Sequence, residues 1–238
     1  QPSNGAVAPQ IVVARWDIAT GQWSTPQVVQ TSTLRGSNPQ LSVAANGDAT
    51  VAWTQTTAAA SLVIDVVQLS HTTGVGTVPY EVSGTNGSAT WPQVKTDAGG
   101  DVTVLWEQSS GNYAYSLSTA RYHANLKAWS APIDIEQLSN YAFNPFSVAP
   151  TMTVDDGGNL TAAWLQGDGS GANPSVYAVR YDGRSAAWGV PKQLNGTAWG
   201  DASIVSTTVD SHGNVLAGWG VQDVYYFDTP TWALLTGP

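Results

Sequence analysis

Cysteine is absent from the 238 residues, so disulfide stapling, thiolate catalysis and Cys-ligated zinc are all excluded. Charge is scarce, at 11% of residues, and cations scarcer still: Lys plus Arg number 8 against 17 Asp plus Glu, a net charge of -9 and a pI of about 4.4. Such a surface repels phosphate backbones and anionic lipid, which argues against nucleic-acid and membrane-surface partners. No apolar run approaches the roughly 20 residues that span a bilayer. No stretch carries a helical period. Gly-x-Ser-x-Gly, phosphate-loop and dinucleotide fingerprints are missing as well. The opening Gln1 to Pro9 is polar and lacks an initiator Met, which suits a processed mature chain or an excised segment.

What the chain does have is a 42% apolar content, abundant Gly, Ser, Thr, Asn and Gln, and 11 Trp. That is enough apolar surface for one large core without staples, in the style of a β-rich secreted protein. The expected location is outside the cell or at its surface, with the bacterial periplasm as the alternative.

Two interleaved motifs repeat along the chain. In the first, a Gly is followed by Asp or Asn, four further residues and a Trp: Gly47 to Trp53, Gly100 to Trp106, Gly158 to Trp164 and Gly213 to Trp219. The Trp-to-Trp steps are 53, 58 and 55 residues. Three copies also place a Pro eight residues before the Gly (Pro39, Pro92, Pro150) and a Gln two after the Trp (Gln55, Gln108, Gln166). The second motif runs from Arg and an aromatic through a polar turn to Trp and Pro: Arg15-Trp16 to Trp23, Arg121-Tyr122 to Trp129, and Arg180-Tyr181 to Trp188. A degenerate copy retains Gln68, Gly76 and Pro79, and a shortened one runs from Tyr226-Phe227 to Trp232.

Each motif reads as a β-hairpin. In the first, Gly and Asn supply the positive φ of a tight turn. The strand that follows puts residues such as Leu160, Ala162 and Trp164 on one face and small residues such as Thr161 and Ala163 on the other. Neither face carries charge, so both are covered. Two hairpins per repeat make a four-stranded antiparallel sheet, and sheets covered on both faces stack radially. The sequence therefore predicts an all-β β-propeller of five four-stranded blades. Its repeats fall near 1–37, 38–90, 91–148, 149–203 and 204–238 of one domain, with the N- and C-terminal segments sharing the closure. The half-unit excess leaves two alternatives, four blades plus a terminal hairpin or part of a larger propeller.

Repeats such as VDDGGNLTAAWLQ and VYAVRYDGRSAAWGVPKQL resemble those of secreted bacterial β-propeller proteins grouped with sialidase-like repeats. The resemblance implies the fold and leaves function open, because that group holds lectins, adhesins and enzymes. The Asp boxes of sialidases are absent. Arg15, Arg121 and Arg180 share one repeat position, which points to a framework role more simply than to a carboxylate-binding triad.

The repeated Trp53, Trp106, Trp164 and Trp219 read as inter-sheet core. Aromatics that break the repeat are the better ligand candidates. Trp91 and Trp199 sit in what read as inter-hairpin connections, beside Asn86 and Gln93 and beside Asn195 and Asp201, and Tyr113 and Tyr141 decorate other loops. These residues suit a neutral glycan, which needs an aromatic face and nearby polar groups. Asp155, Asp156 and Asp168 lie in turns and are calcium candidates, although Asp in a turn also caps its own backbone. The three histidines show no metal-ligand spacing. Glu107, one of three glutamates with Glu81 and Glu136, is the candidate acid, but glycoside hydrolysis needs a second carboxylate about 5 to 9.5 Å away. The expected function is thus a non-catalytic, lectin-like binding propeller. The alternatives are a protein-interaction or structural module of a surface protein, and a glycan-cleaving enzyme.

Overall fold

In the computed structural model the described residues are 8–84, 87–111, 114–136, 149–167, 174–195, 201–222 and 228–235. The chain opens with β1 (Val12–Val13), β2 (Trp16–Asp17), β3 (Gln22–Trp23) and β4 (Gln27–Val28), which pair as two ribbons, β1 with β4 and β2 with β3. A four-stranded sheet follows in the order β5 (Gly36–Val43), β6 (Ala49–Thr56), β7 (Leu62–Leu69), β8 (Tyr80–Glu81). The third unit is β9 (Ser88–Thr96), β10 (Val102–Gly111) and β11 (Ala114–His123), with the short β12 (Ala128–Trp129) and β13 (Ile133–Asp134) both paired to β11. The fourth repeats it with β14 (Thr151–Val154), β15 (Leu160–Gln166), β16 (Ser175–Asp182), β17 (Ala187–Trp188) and β18 (Lys192–Gln193). The fifth is three-stranded: β19 (Asp201–Val209), β20 (Val215–Gln222) and β21 (Asp228–Leu235). The architecture is all-β, and every pairing is antiparallel.

The first motif makes the same turn in each full sheet. Gly47, Gly100, Gly158 and Gly213 hold φ between 76° and 88°, and each donates its N–H to the carbonyl three residues back. An L side chain is strained in that conformation, which is why glycine recurs there. The strand after the turn is the most buried of its sheet. Trp53, Trp106 and Trp164 are wholly buried, and Trp219 nearly so.

One packing rule joins successive sheets. Trp106 packs with Ala52, Ile64 and Val66 of the preceding sheet. Trp164 packs with Leu105 and Leu117, and Trp219 with Ala163, Leu165 and Val176. The Trp face of each sheet thus covers the small-residue face of the one before, as the uncharged alternation predicts. The first strands β5, β9, β14 and β19 also touch in succession, so they form the inner side of the stack.

The described residues depart from the reading of five four-stranded sheets, since the first unit is two ribbons and the fifth is three-stranded, and two further details differ. Of the shortened last copy, Tyr226 and Phe227 lie outside the described residues and Trp232 lies within β21, opposite Gly218. Among the described residues the terminal segments do not pair with each other, since β4 closes on β1 and β21 on β20.

Candidate functional site

Three series of repeated side chains are framework. Each buried Trp donates its indole Nε1–H to the Gln two residues on: Trp53 to Gln55 (3.0 Å), Trp106 to Gln108 (2.9 Å) and Trp164 to Gln166 (2.8 Å). Trp219 has Val221 there and its Nε1 is left without a partner. The arginines stitch sheets together. Arg15 donates to the Gly47 carbonyl (2.8 Å) and Arg180 to the Gly213 carbonyl (3.1 Å), each in the next sheet's turn. Arg121 instead pairs with Asp97 and Asp101 of its own sheet and lies 4.9 Å over the Tyr181 ring of the next. At the rim, Trp129 stacks on Tyr80 (6.2 Å) and Trp188 leans on Tyr181 (5.4 Å).

The third series was not anticipated. Just after the fourth strand of each of the first four units, one side chain accepts the N–H of a residue in or beside the third strand. Gln30 Oε1 takes Ile11 N–H (3.0 Å), Ser83 Oγ takes Ile64 (2.9 Å), Glu136 Oε2 takes Leu117 (3.0 Å) and Asn195 Oδ1 takes Val176 (2.8 Å). Asn195, read from the sequence as a glycan contact, is therefore a buried cap. The regular spacing of these four residues was the signal that could have found the series.

The calcium candidates divide similarly. Asp155 is buried; its Oδ1 accepts the N–H groups of Gly157 and Asn159 (both 2.9 Å), and its Oδ2 lies 3.6 Å from Arg180. It caps its turn and balances an arginine. Asp156 is exposed beside it. His71, His123 and His212 each neighbour a single Asp. Among the described residues no three metal-binding groups converge.

Trp91 is not in a connection. It lies inside β9, where the register slips between Leu105 paired with Gln93 and Glu107 paired with Thr90. Trp91 and Pro92 form the bulge opposite Trp106, and Trp91 holds a φ of 54° with 38% of its surface exposed. Asn38 holds the matching bulge of β5 at 52°. A bulky aromatic in this region is strained, and such strain collects where a side chain must be aimed. Gln93, next on the strand, turns its amide back to the Pro92 carbonyl (3.0 Å). Asp201 opens β19. Asn86, Tyr113, Tyr141, Asp168 and Trp199 lie outside the described residues.

Glu107 is the sixth residue of β10, on the face that meets Trp164 of the next sheet, with Thr90 and Leu117 as its cross-strand neighbours. It is 2% exposed and its Oε2 has no partner. Burial pushes its carboxyl up to about 8, so it is protonated at neutral pH. Glu136 caps Leu117, the residue opposite Glu107, so the two acids stand at one level of the sheet with β11 between them. Two strand spacings, about 10 Å, separate β10 from β13. Burial, with a smaller contribution from the charge of Asp134, also raises Glu136. A third acid, Asp65, faces Glu81 across β7 and β8 and is raised to about 6, first by burial and then by that charge.

No family model and no curated protein matches this chain. Solved structures do share its fold. A polysaccharide lyase described as an ulvan lyase aligns with a TM-score of 0.65 at 10% identity, over 97% of this chain and 65% of its own. A Hadza microbial sialidase aligns at 0.56 and 14% identity, over 84% of this chain and 44% of its own. An α-L-arabinanase from Penicillium chrysogenum, complexed with arabinobiose, aligns at 0.54 and 10% identity, over 86% of this chain and 64% of its own. The chain thus spans less than two thirds of the length of each. The neighbours agree with sialidase-like propeller repeats. They also correct the expectation of a non-catalytic binding propeller, because these structural neighbours are mostly enzymes that process glycans.

Proposed function

We propose that this chain is the propeller of a glycan-cleaving enzyme in which Glu107 is the proton donor. The observation that carries the reading is the Glu107 carboxyl, buried, protonated near neutral pH and holding an unpartnered oxygen. A general acid must keep its proton at the working pH, and raising a carboxyl by burial is how proteins achieve it. Glu136, on the far side of β11 and capping Leu117, stands at the same level as the second carboxylate, and Trp91 offers the exposed aromatic face on the inner strand that pairs with β10. The net charge of -9 favours a neutral glycan over an anionic one. The enzyme acts outside the cell, and its repeats form one propeller domain.

The test is a panel of neutral polysaccharides assayed for new reducing ends, with absorbance near 235 nm followed to register elimination. The expected result is hydrolysis that falls at least about 100-fold in Glu107→Gln with the circular-dichroism spectrum unchanged. A panel without turnover by the wild-type chain, or full activity in Glu107→Gln, overturns the assignment.

A further inference from the structure

Residues 11–29 have the pairing of an outer half-sheet. Val12 opposite Val28 in β1 and β4 repeats Ser118 opposite Asp134 in β11 and β13. Trp16 opposite Trp23 repeats Tyr122 opposite Trp129. These residues are therefore the third and fourth strands of a sheet, and among the described residues β1 pairs with nothing but β4.

The inner half of the second sheet's Trp face is bare in consequence. Leu41 faces Val51 across the strands just as Val94 faces Val104 and Met152 faces Ala162. Val94 is 3% exposed and Met152 2%, whereas Leu41 is 57% exposed and its neighbour Val43 62%. What covers β9 at those positions is known from the fold: β5, β6 and β7 of the preceding sheet. Over that face, among the described residues, only the outer strands of such a sheet are in place, through Ile11 and Val29 packed on Trp53 of β6 and Val67 and Leu69 of β7. An open groove of about 530 Å³ runs along this end, lined by Val13, Trp16, Trp23, Leu41, Val43 and Val75. Trp23, 66% exposed, meets Trp16 edge-on but has among the described residues no counterpart of the stack that Tyr80 gives Trp129.

We infer that this end is a docking slot for a β-hairpin of the Gly-Asp/Asn-x4-Trp type, which supplies the two inner strands of the sheet begun by residues 11–29. Its second strand pairs with the free edge of β1, and its small-residue face covers Leu41 and Val43 as Thr50, Ala52 and Thr54 face the third sheet. In the second, third and fourth sheets the inner hairpin precedes the outer strands in the chain, so the occupant lies ahead of β1 in the same polypeptide. A second copy of this chain does not fit, because its fifth sheet already carries a third strand, β21, where β1 would have to pair. The inference is independent of the glycan reading.

The probe is the chain's own inner hairpin, residues 36–60, joined directly ahead of Ala8. That junction reproduces the spacing between β6 and β7, since Asp65 matches Val12 in the repeat. The fused protein should melt at least about 5 °C higher. It should bind several-fold less of a hydrophobic dye, and its Val12–Arg15 amides should exchange more slowly. Introducing Leu41→Lys and Val43→Lys should remove those gains in the fused protein while leaving the melting of the unfused chain unchanged. Identical melting, dye binding and exchange with and without the hairpin overturn the inference. So does a dimer of the unfused chain that Leu41→Lys returns to monomer, since a second copy would then be the occupant.

Discussion

At the scale of the residue, the indole–amide pairs and the buried glutamate behave differently under substitution. Gln55 accepts from Trp53 and also donates to the Leu34, Arg35 and Thr56 carbonyls. Gln166 accepts from Trp164, but its own Nε2 has no partner. Leaving a buried polar group unsatisfied costs about 1–3 kcal/mol. Gln55→Leu should fall at the upper end of that range and Gln166→Leu at the lower, read from urea midpoints. For Glu107 the folded carboxyl holds its proton up to about pH 8, well above the unfolded value of 4.5. The native state therefore binds the extra proton through that window, and stability declines as pH rises across it, by an amount of the order of 1 kcal/mol per pH unit. Glu107→Gln should flatten this slope between pH 5 and 8 in denaturation series. An unchanged slope would mean that Glu107 is charged in the fold. The motif spacing already placed the Trp and Gln pairs. What it could not supply was the protonation state of Glu107, which depends on Trp164 and the next sheet closing over it.

At the scale of the element, sheet junctions are held by apolar packing and pinned by arginine. Arg121 is the tightest pin, with side-chain exposures of 12% for itself and 9% for Asp97. Removing one partner of a buried pair leaves an uncompensated charge and costs about 3–5 kcal/mol. Arg121→Gln should approach that loss, and Arg121→Lys should recover little of it, because an ammonium cannot both fork toward Asp97 and Asp101 and lie flat on Tyr181. Arg180 is more exposed and sits 3.6 Å from Asp155, so Arg180→Gln should lose well under half as much in the same measurement. The shared repeat position of the arginines was legible in the sequence and pointed to this framework role. The caps formed by Gln30, Ser83, Glu136 and Asn195 escaped it because their four side chains differ in chemistry and share only an acceptor oxygen in one place.

At the scale of the whole molecule, the stack has covered junctions inside and an uncovered one at the β5 end. A residue's contribution should therefore depend on which sheet it occupies even at equal register. Leu41→Ser should change stability by no more than about 0.5 kcal/mol, whereas Met152→Ala, which empties a covered site, should cost about 2–5 kcal/mol. Equal losses at the two positions would show that both faces are covered.

The order of strands and turns, the inter-sheet tryptophans and the all-β class follow from residue type and spacing alone, because hairpin turns and strand alternation are local properties of the chain. Tertiary structure decided the rest. A bulge carries Trp91 onto the inner strand, where the sequence showed only a connection. Leu117 brings Glu136 to the level of Glu107 from 29 residues further along the chain. Trp232, whose surroundings imitate a turn motif, is drawn into a plain strand by the free edge of β20. In each case the deciding partner lies on another strand or sheet, and a register slip of one or two residues is invisible to any pattern read along a single strand.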